Sequence, residues 1–548
     1  MTDRWAKVTW IPAQGRDDSI FCLSKCHSSY WGLVFSVCIR RVYLMGYIGV
    51  KAHQPTPIIH AMFLKAGALS LALLLVSRLL GLLRESAQAA AFGASGLGDV
   101  VVLMLTLPDW LTGVLASGAL AYVLVPAWAG RASAQVVAMQ RVVAWSLLAV
   151  GGVLALLLIG WRLPALAWLA RGLPAGLQQS AAGALIWSAL ALPAALLAAL
   201  WSTRLQHERD FAGMYGANLV VNGTLIAVMA GVALSVPAAD ALIWMGAGLM
   251  TAMLLRLFWL RWRMPLSLAV ASPETALPRP SVWAWAALSA GLPLALPFAA
   301  RSIASQAGEG ALSTFNYAWK LVELPQMLAI QLVAALAFPA IAKAMAQDDH
   351  AAAGRAVRSA FALAFALACA AAAGLLVGAP ALASLLFGWG RMDSAALARV
   401  AQWGALGAWG LLPQALIAVA LTVLAARKGM RSAVLAYALA LALLLSYAAW
   451  GAAWVPVSGA RLMLLLNLLQ AAVAVAVLAA LGAQVQAWLP WRAMAISALV
   501  LLAWVAVLPL LAHITALWAG LALAGLAAAV VLGATWLGSA QLRSALAR

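Results

Sequence analysis

Charge is scarce in this chain. Only 9% of its 548 residues are Asp, Glu, Lys or Arg, where a soluble protein carries about a quarter. The 15 acidic residues form no cluster, which argues against a polymerase or glycosyltransferase built on grouped catalytic acids. Four cysteines give no disulfide framework. Cys22 and Cys26 sit beside His27, but no second ligand pair with zinc-like spacing follows, so no metal site is expected. A phosphate-binding glycine loop is absent, which argues against direct ATP hydrolysis; Gly388-Trp389-Gly390-Arg391 has no such context and receives no role. No cleavable signal pattern opens the chain, no loop is long enough for a soluble domain, and no period-two alternation supports a barrel.

What is present is apolar surface: 66% of residues are hydrophobic. Windows of about 20 apolar residues, each long enough to cross about 30 Å of hydrocarbon as a helix, recur from 64–84 to 514–537. The fold class expected is all-α: a polytopic membrane protein of about 14 transmembrane helices. The net charge of +19 is spread through short loops and is no nucleic-acid signature. Basic residues such as Arg131, Arg204, Arg256, Arg263, Lys343, Arg427 and Arg431 crowd the even-numbered loops, which places those loops and both termini in the cytoplasm. Residues 1–61 differ from the rest and read as an extension ahead of a natural start at Met62, or as a cytoplasmic tail.

The chain also repeats itself. At an offset of 217 positions Arg84 falls on Arg301, Gly93 on Gly310, Asp99 on Asn316 and Leu107-Pro108 on Leu324-Pro325. Six spans separate the copies, so the repeat is parallel, with a site expected between its halves. The division expected is an extension 1–61, an N-terminal lobe 62–263 of six helices, a linker 264–281, a C-terminal lobe 282–483 of six helices, and two further helices in 484–548.

Charges within apolar spans mark function, because each costs about 2.5–3.5 kcal/mol at mid-membrane. Ser77, Gly81, Arg84 and Gln88 share one face of the first span, with Arg78 and Glu85 on another stripe. Asp99, Thr106, Gly113 and Ser117 share a face of the second, with Asp109 at its edge. Lys320 and Glu323, three apart on the eighth, can pair. Two polar faces side by side suggest a hydrated cavity wall; snorkelling of the arginines to an interface is the alternative. Pro108 and Pro325 break their helices and supply bending points. Asn218 and Asn222, one turn apart, could line the cavity or bridge helices, and interhelical packing is the role expected. The expected anion-binding residues are Arg78, Arg84, Lys320 and Arg301, with Glu85, Asp99, Asp109, Pro108, Glu323, Pro325 and Asn316 in cavity or gating roles.

Ser77–Glu85, Ala91–Ala94, Asp99, Leu107-Pro108, Gly118-Ala119 and Val125-Pro126 together resemble the opening of the MurJ/MviN flippases of the multidrug/oligosaccharidyl-lipid/polysaccharide exporter superfamily. Tyr317–Pro325 resembles that family's eighth-helix motif, and Ala425–Gly429 its segment after the tenth helix. The resemblance implies two six-helix lobes around a cationic cavity, a lateral gate through helices 1 and 8, and movement of an undecaprenyl-pyrophosphate-linked sugar from the cytoplasmic to the periplasmic leaflet of the bacterial inner membrane. It implies a transporter for cell-wall or polysaccharide biogenesis rather than an enzyme. The family arginines of helix 1 carry over to Arg78 and Arg84, its helix 2 acid to Asp99, and its helix 8 charges to Lys320 and Glu323. Departures are also visible: Thr112 and Gly113 stand where the family has an Arg-Arg pair, Ser117 where it has Glu, Trp319 where it has Asp, and Glu85 where it has Asp. Lipid II or a related lipid-linked polysaccharide precursor is therefore the expected cargo. A cation-coupled drug exporter of the same superfamily and a membrane enzyme of polysaccharide assembly are the alternatives. No cofactor is expected; membrane potential, sodium or protons could drive the cycle. Partners expected are the lipid-linked saccharide and membrane lipids, with no nucleic acid and a monomeric state.

Overall fold

A computed structural model of the chain describes residues 57–237, 240–265, 277–427, 429–451, 454–511, 516–540 and 542–543. The N-terminal cysteines and most of the 264–281 segment lie outside the described residues. Among the described residues fourteen long helical bodies follow one another. They are α1 (Pro57–Phe92), α2 (Gly96–Val114, continued through Leu115–Ala119 into Leu120–Trp128), α3 (Ser133–Gly160), α4 (Ala175–His207), α5 (Phe211–Ser235), α6 (Ala241–Arg263) and α7 (Pro280–Ala304). Then come α8 (Ala311–Ala346), α9 (His350–Phe387), α10 (Ser394–Ala408 with Leu411–Ala426), α11 (Arg431–Ala449), α12 (Gly459–Ala480), α13 (Trp491–Leu511) and α14 (Leu517–Gly538). Among the described residues twelve helices are individually long and apolar enough to cross a membrane, thirteen when the halves of α10 are joined. The chain is a multi-pass helical membrane protein, and the expected count of fourteen spans is approximate.

Local chemistry explains the departures from straight single spans. Pro108 has no N–H to offer the carbonyl of Met104, and the Ser188 hydroxyl of α4 donates to that carbonyl instead at 2.6 Å. Pro325 is followed at once by a π-helical turn, Gln326–Ile330, which absorbs the lost ladder bond. The span expected over 396–425 is broken: its halves meet at 46° around Trp409-Gly410. Pro413, in the first turn of the second half, has no N–H for the Trp409 carbonyl, so the ladder cannot run through. Two short helices, Arg162–Leu169 and Ala483–Gln486, lie in connections between the expected spans.

Two apolar cores organise the bundle. One joins Val100–Leu105 of α2 to Leu185 of α4, Leu225 and Met229 of α5, and Met245 and Leu249 of α6. The other joins Phe315 and Val322 of α8 to Phe361 and Phe365 of α9, Val419 of α10 and Leu466 and Val473 of α12. Helix α14 packs on α9 through small residues: a Cβ on Gly378 would lie 2.5 Å from the Cβ of Ala524. Such close backbone approach lets dispersion hold helices together where lipid removes the hydrophobic drive. Cys369 is buried in the same core, as its packing role required.

Candidate functional site

The loops after α1, α3, α7 and α9 meet at one end of the bundle, and their polar groups tie the two cores together there. Asp99, in the first turn of α2, is 1% exposed. Its carboxylate accepts the N–H of Gly310 at 2.8 Å and of Ser313 at 2.7 Å, capping the start of α8 from across the interface. In return Glu309 accepts the N–H of Gly96, which opens α2, at 3.1 Å. Ser302 of α7 donates to the Leu169 carbonyl at 2.6 Å, and the Arg391 N–H donates to the Ala90 carbonyl at 2.9 Å. Gly390, at φ +60°, permits that last contact, since a Cβ there would sit 2.2 Å from the Ala90 oxygen. Asp99 therefore does not line a hydrated wall with Thr106 and Gly113; its partners are backbone amides. The Gly388–Arg391 loop, which the sequence left without a role, is one of the struts of this closure. Glu309 and Ser302 were likewise missed, because nothing local marks a partner some 130 to 210 residues away.

Below that closure lies a charged constellation drawn from α1, α2, α7 and α8. Arg84 donates from Nη1 to Asp109 at 2.9 Å and from Nη2 to Glu85 at 2.8 Å. Glu85 also accepts the Asn316 side-chain amide at 2.8 Å and lies 3.9 Å from Lys320. Lys320 pairs with Glu323 at 2.7 Å, as the three-residue spacing predicts. Arg301, a part-buried side chain of α7, donates to the Thr106 hydroxyl of α2 at 3.2 Å. It makes no ion pair with a described carboxylate, and its Nε has no hydrogen-bond partner. Arg78 forms no salt bridge with a described carboxylate, but its charge acts on Glu323. Four cations and three carboxylates are thus gathered by elements from both halves of the chain. Asp109, Glu323 and Lys320 are the more exposed members of this cluster.

The remaining expected residues fall as follows. Asn316 is buried against Glu85 and Pro108 is buried in α2, while Pro325 precedes the π-helical turn of α8. Asn222 is packed beside Gly81 of α1, and Asn218 accepts a long hydrogen bond from Arg256 at 3.5 Å, both interhelical contacts. Gly113 faces Leu294 of α7. Among the described residues no group of three or more His, Cys, Asp or Glu could hold a metal.

A bundle with a dozen described helices long and apolar enough to cross a membrane, and with paired charges among them, has the makings of a transport protein rather than an enzyme. A family profile described as "Lipid II flippase MurJ" matches residues 88–532, and the chain belongs to that family. The Burkholderia cenocepacia protein named lipid II flippase MurJ is 28% identical over 360 residues, 62% of this chain and 68% of that one. Among solved structures, lipid II flippase MurJ in an inward closed conformation matches with a TM-score of 0.69 at 13% identity, covering 86% of this chain and 99% of that one. An inward-facing multidrug resistance MATE transporter of the MOP superfamily matches with a TM-score of 0.58 at 15% identity, covering 73% and 93%. At those identities the structural matches establish the fold.

Proposed function

We propose that the chain is a flippase that carries a polyprenyl-pyrophosphate-linked saccharide, lipid II or a related envelope precursor, from the cytoplasmic to the periplasmic leaflet of the bacterial inner membrane. The observation that carries this reading is the gathering of Arg78, Arg84, Arg301 and Lys320 from α1, α7 and α8 in one charged cluster. Arginine forks match phosphate oxygens, and a pyrophosphate supplies the charge that four cations seek. The closed end corresponds to the periplasmic face, because the opposite loops carry most of the basic residues. In the proposed cycle the headgroup enters from the cytoplasmic side, with the lipid tail left in the bilayer beside α1 and α8. Rocking of one helical set against the other breaks the Asp99 and Glu309 caps and exposes the headgroup to the far side. Membrane potential, or a sodium or proton gradient, supplies the bias.

A drug exporter of the same fold would suit cationic cargo, and the net positive charge of this cluster, four cations against three carboxylates, counts against it. Complementation of a strain depleted of its lipid II flippase tests the cargo. Rescue identifies lipid II. Failure to rescue, with flipping of another pyrophosphate-linked saccharide in proteoliposomes, assigns a different precursor and fits the loss of the arginine pair at Thr112 and Gly113. Failure of both refutes the proposal.

A further inference from the structure

Arg84 is the best-placed phosphate ligand of the charged cluster, and both of its terminal nitrogens are already occupied. The two carboxylates that occupy them are not equivalent. Glu85 is 6% exposed; its second oxygen accepts the Asn316 amide, and the oxygen that meets Arg84 also lies 3.9 Å from Lys320. Asp109 is 42% exposed, and Arg84 is its single hydrogen-bond partner among the described residues. Asp109 can therefore turn out to water at little cost, whereas Glu85 cannot leave without stripping the buried Asn316 amide of its partner.

We propose that Asp109 is a stand-in for the cargo's phosphate: it fills the outer fork of Arg84 in the unloaded carrier and yields it when a pyrophosphate arrives. This rests on the assignment of Arg84 to the anionic headgroup. The neighbourhood fits such an exchange. Thr106 lies three residues before Asp109 on the same face of α2 and holds Arg301, so the place Asp109 leaves is flanked by a second guanidinium. The Nε atoms of Arg84 and Arg301 are buried without partners, and an acceptor-rich group drawn inward as the cluster rearranges would satisfy them. The exchange also sets selectivity. A lone chloride or carboxylate gains too little from Arg84 to expel a carboxylate that is already bound. A pyrophosphate brings more charge and a geometry that accepts two parallel N–H bonds, so it can.

The test is binding of farnesyl pyrophosphate to the purified full-length protein in nanodiscs. Asp109→Asn keeps the shape of the side chain and removes its charge, so it should tighten binding about tenfold, the scale of one charge-assisted hydrogen bond. Asp109→Glu should bind as wild type does. In an Arg84→Ala background the gain from Asp109→Asn should vanish, because Asp109 acts through Arg84. Unchanged or weaker binding by Asp109→Asn overturns the stand-in role, as does an equal gain in the Arg84→Ala background, which would mark a general charge effect. If Arg84→Ala by itself binds the probe as wild type does, the assignment of Arg84 falls, and the stand-in role falls with it. If Arg84→Ala weakens binding while Asp109→Asn changes nothing, only the stand-in role falls.

Discussion

Replacing Asp99 by alanine should loosen one end of the transporter without disturbing the cationic site. The carboxylate receives two backbone N–H groups at the start of α8, at 2.7 and 2.8 Å, in a position shielded from water. Each such charge-assisted bond contributes about 1.5–3 kcal/mol. Opening that end exposes both partners to water, so the bonds favour the closed arrangement over the open one by roughly 3 kcal/mol, about a hundredfold in their ratio. Asp99→Asn keeps one acceptor and should have a smaller effect. The assay is the distance between spin labels at Ala175 and Ala395, two exposed positions on opposite sides of the closure, in a background whose native cysteines are replaced. The wild type should show one short distance. Asp99→Ala should add a longer population, and Asp99→Asn a smaller one. A folded Asp99→Ala protein with the wild-type distance distribution would refute the idea that this residue latches the two helical sets.

Other outcomes follow from the same contacts. Gly390→Ala should also favour opening, since its Cβ would sit 2.2 Å from the Ala90 carbonyl at a positive φ; the same labels read it. Thr106→Val removes the hydroxyl that Arg301 donates to and should lower transport several-fold with normal membrane insertion, measured as initial flipping rate at matched protein levels. Outside the membrane spans, burial pushes the Asp210 carboxyl up, but hydrogen bonds from Arg263 and the Gly213 N–H outweigh it and hold the carboxyl below the usual carboxylate range. A depressed folded value means that the stabilisation is full above about pH 4 and is lost as pH falls further, so the difference in melting temperature between wild type and Asp210→Asn should shrink in that acid range.

Much of the architecture could be read from apolar windows, because a bilayer demands long helices and little else. The helical bodies lie where those windows are, and the Lys320–Glu323 pair followed from spacing alone. What could not be read is whatever depends on partners distant in sequence. Asp99 shares a helical face with Thr106, yet its partners are amides more than two hundred residues on. The pairing of Arg84 with its own neighbour Glu85 defied the rule that adjacent helical residues diverge, because a long guanidinium stem can swing back along the helix. The break at Gly410 was hidden within an apolar run, where hydropathy is blind to backbone geometry.

The most direct measurement of the central claim is translocation of an undecaprenyl-pyrophosphate-linked saccharide in proteoliposomes by wild type, Arg84→Lys and Arg84→Ala. The wild type should translocate it. Arg84→Lys should be slower, because lysine keeps the charge but lacks the planar fork, and Arg84→Ala should be inactive at equal protein content. Translocation by Arg84→Ala at the wild-type rate would contradict the account.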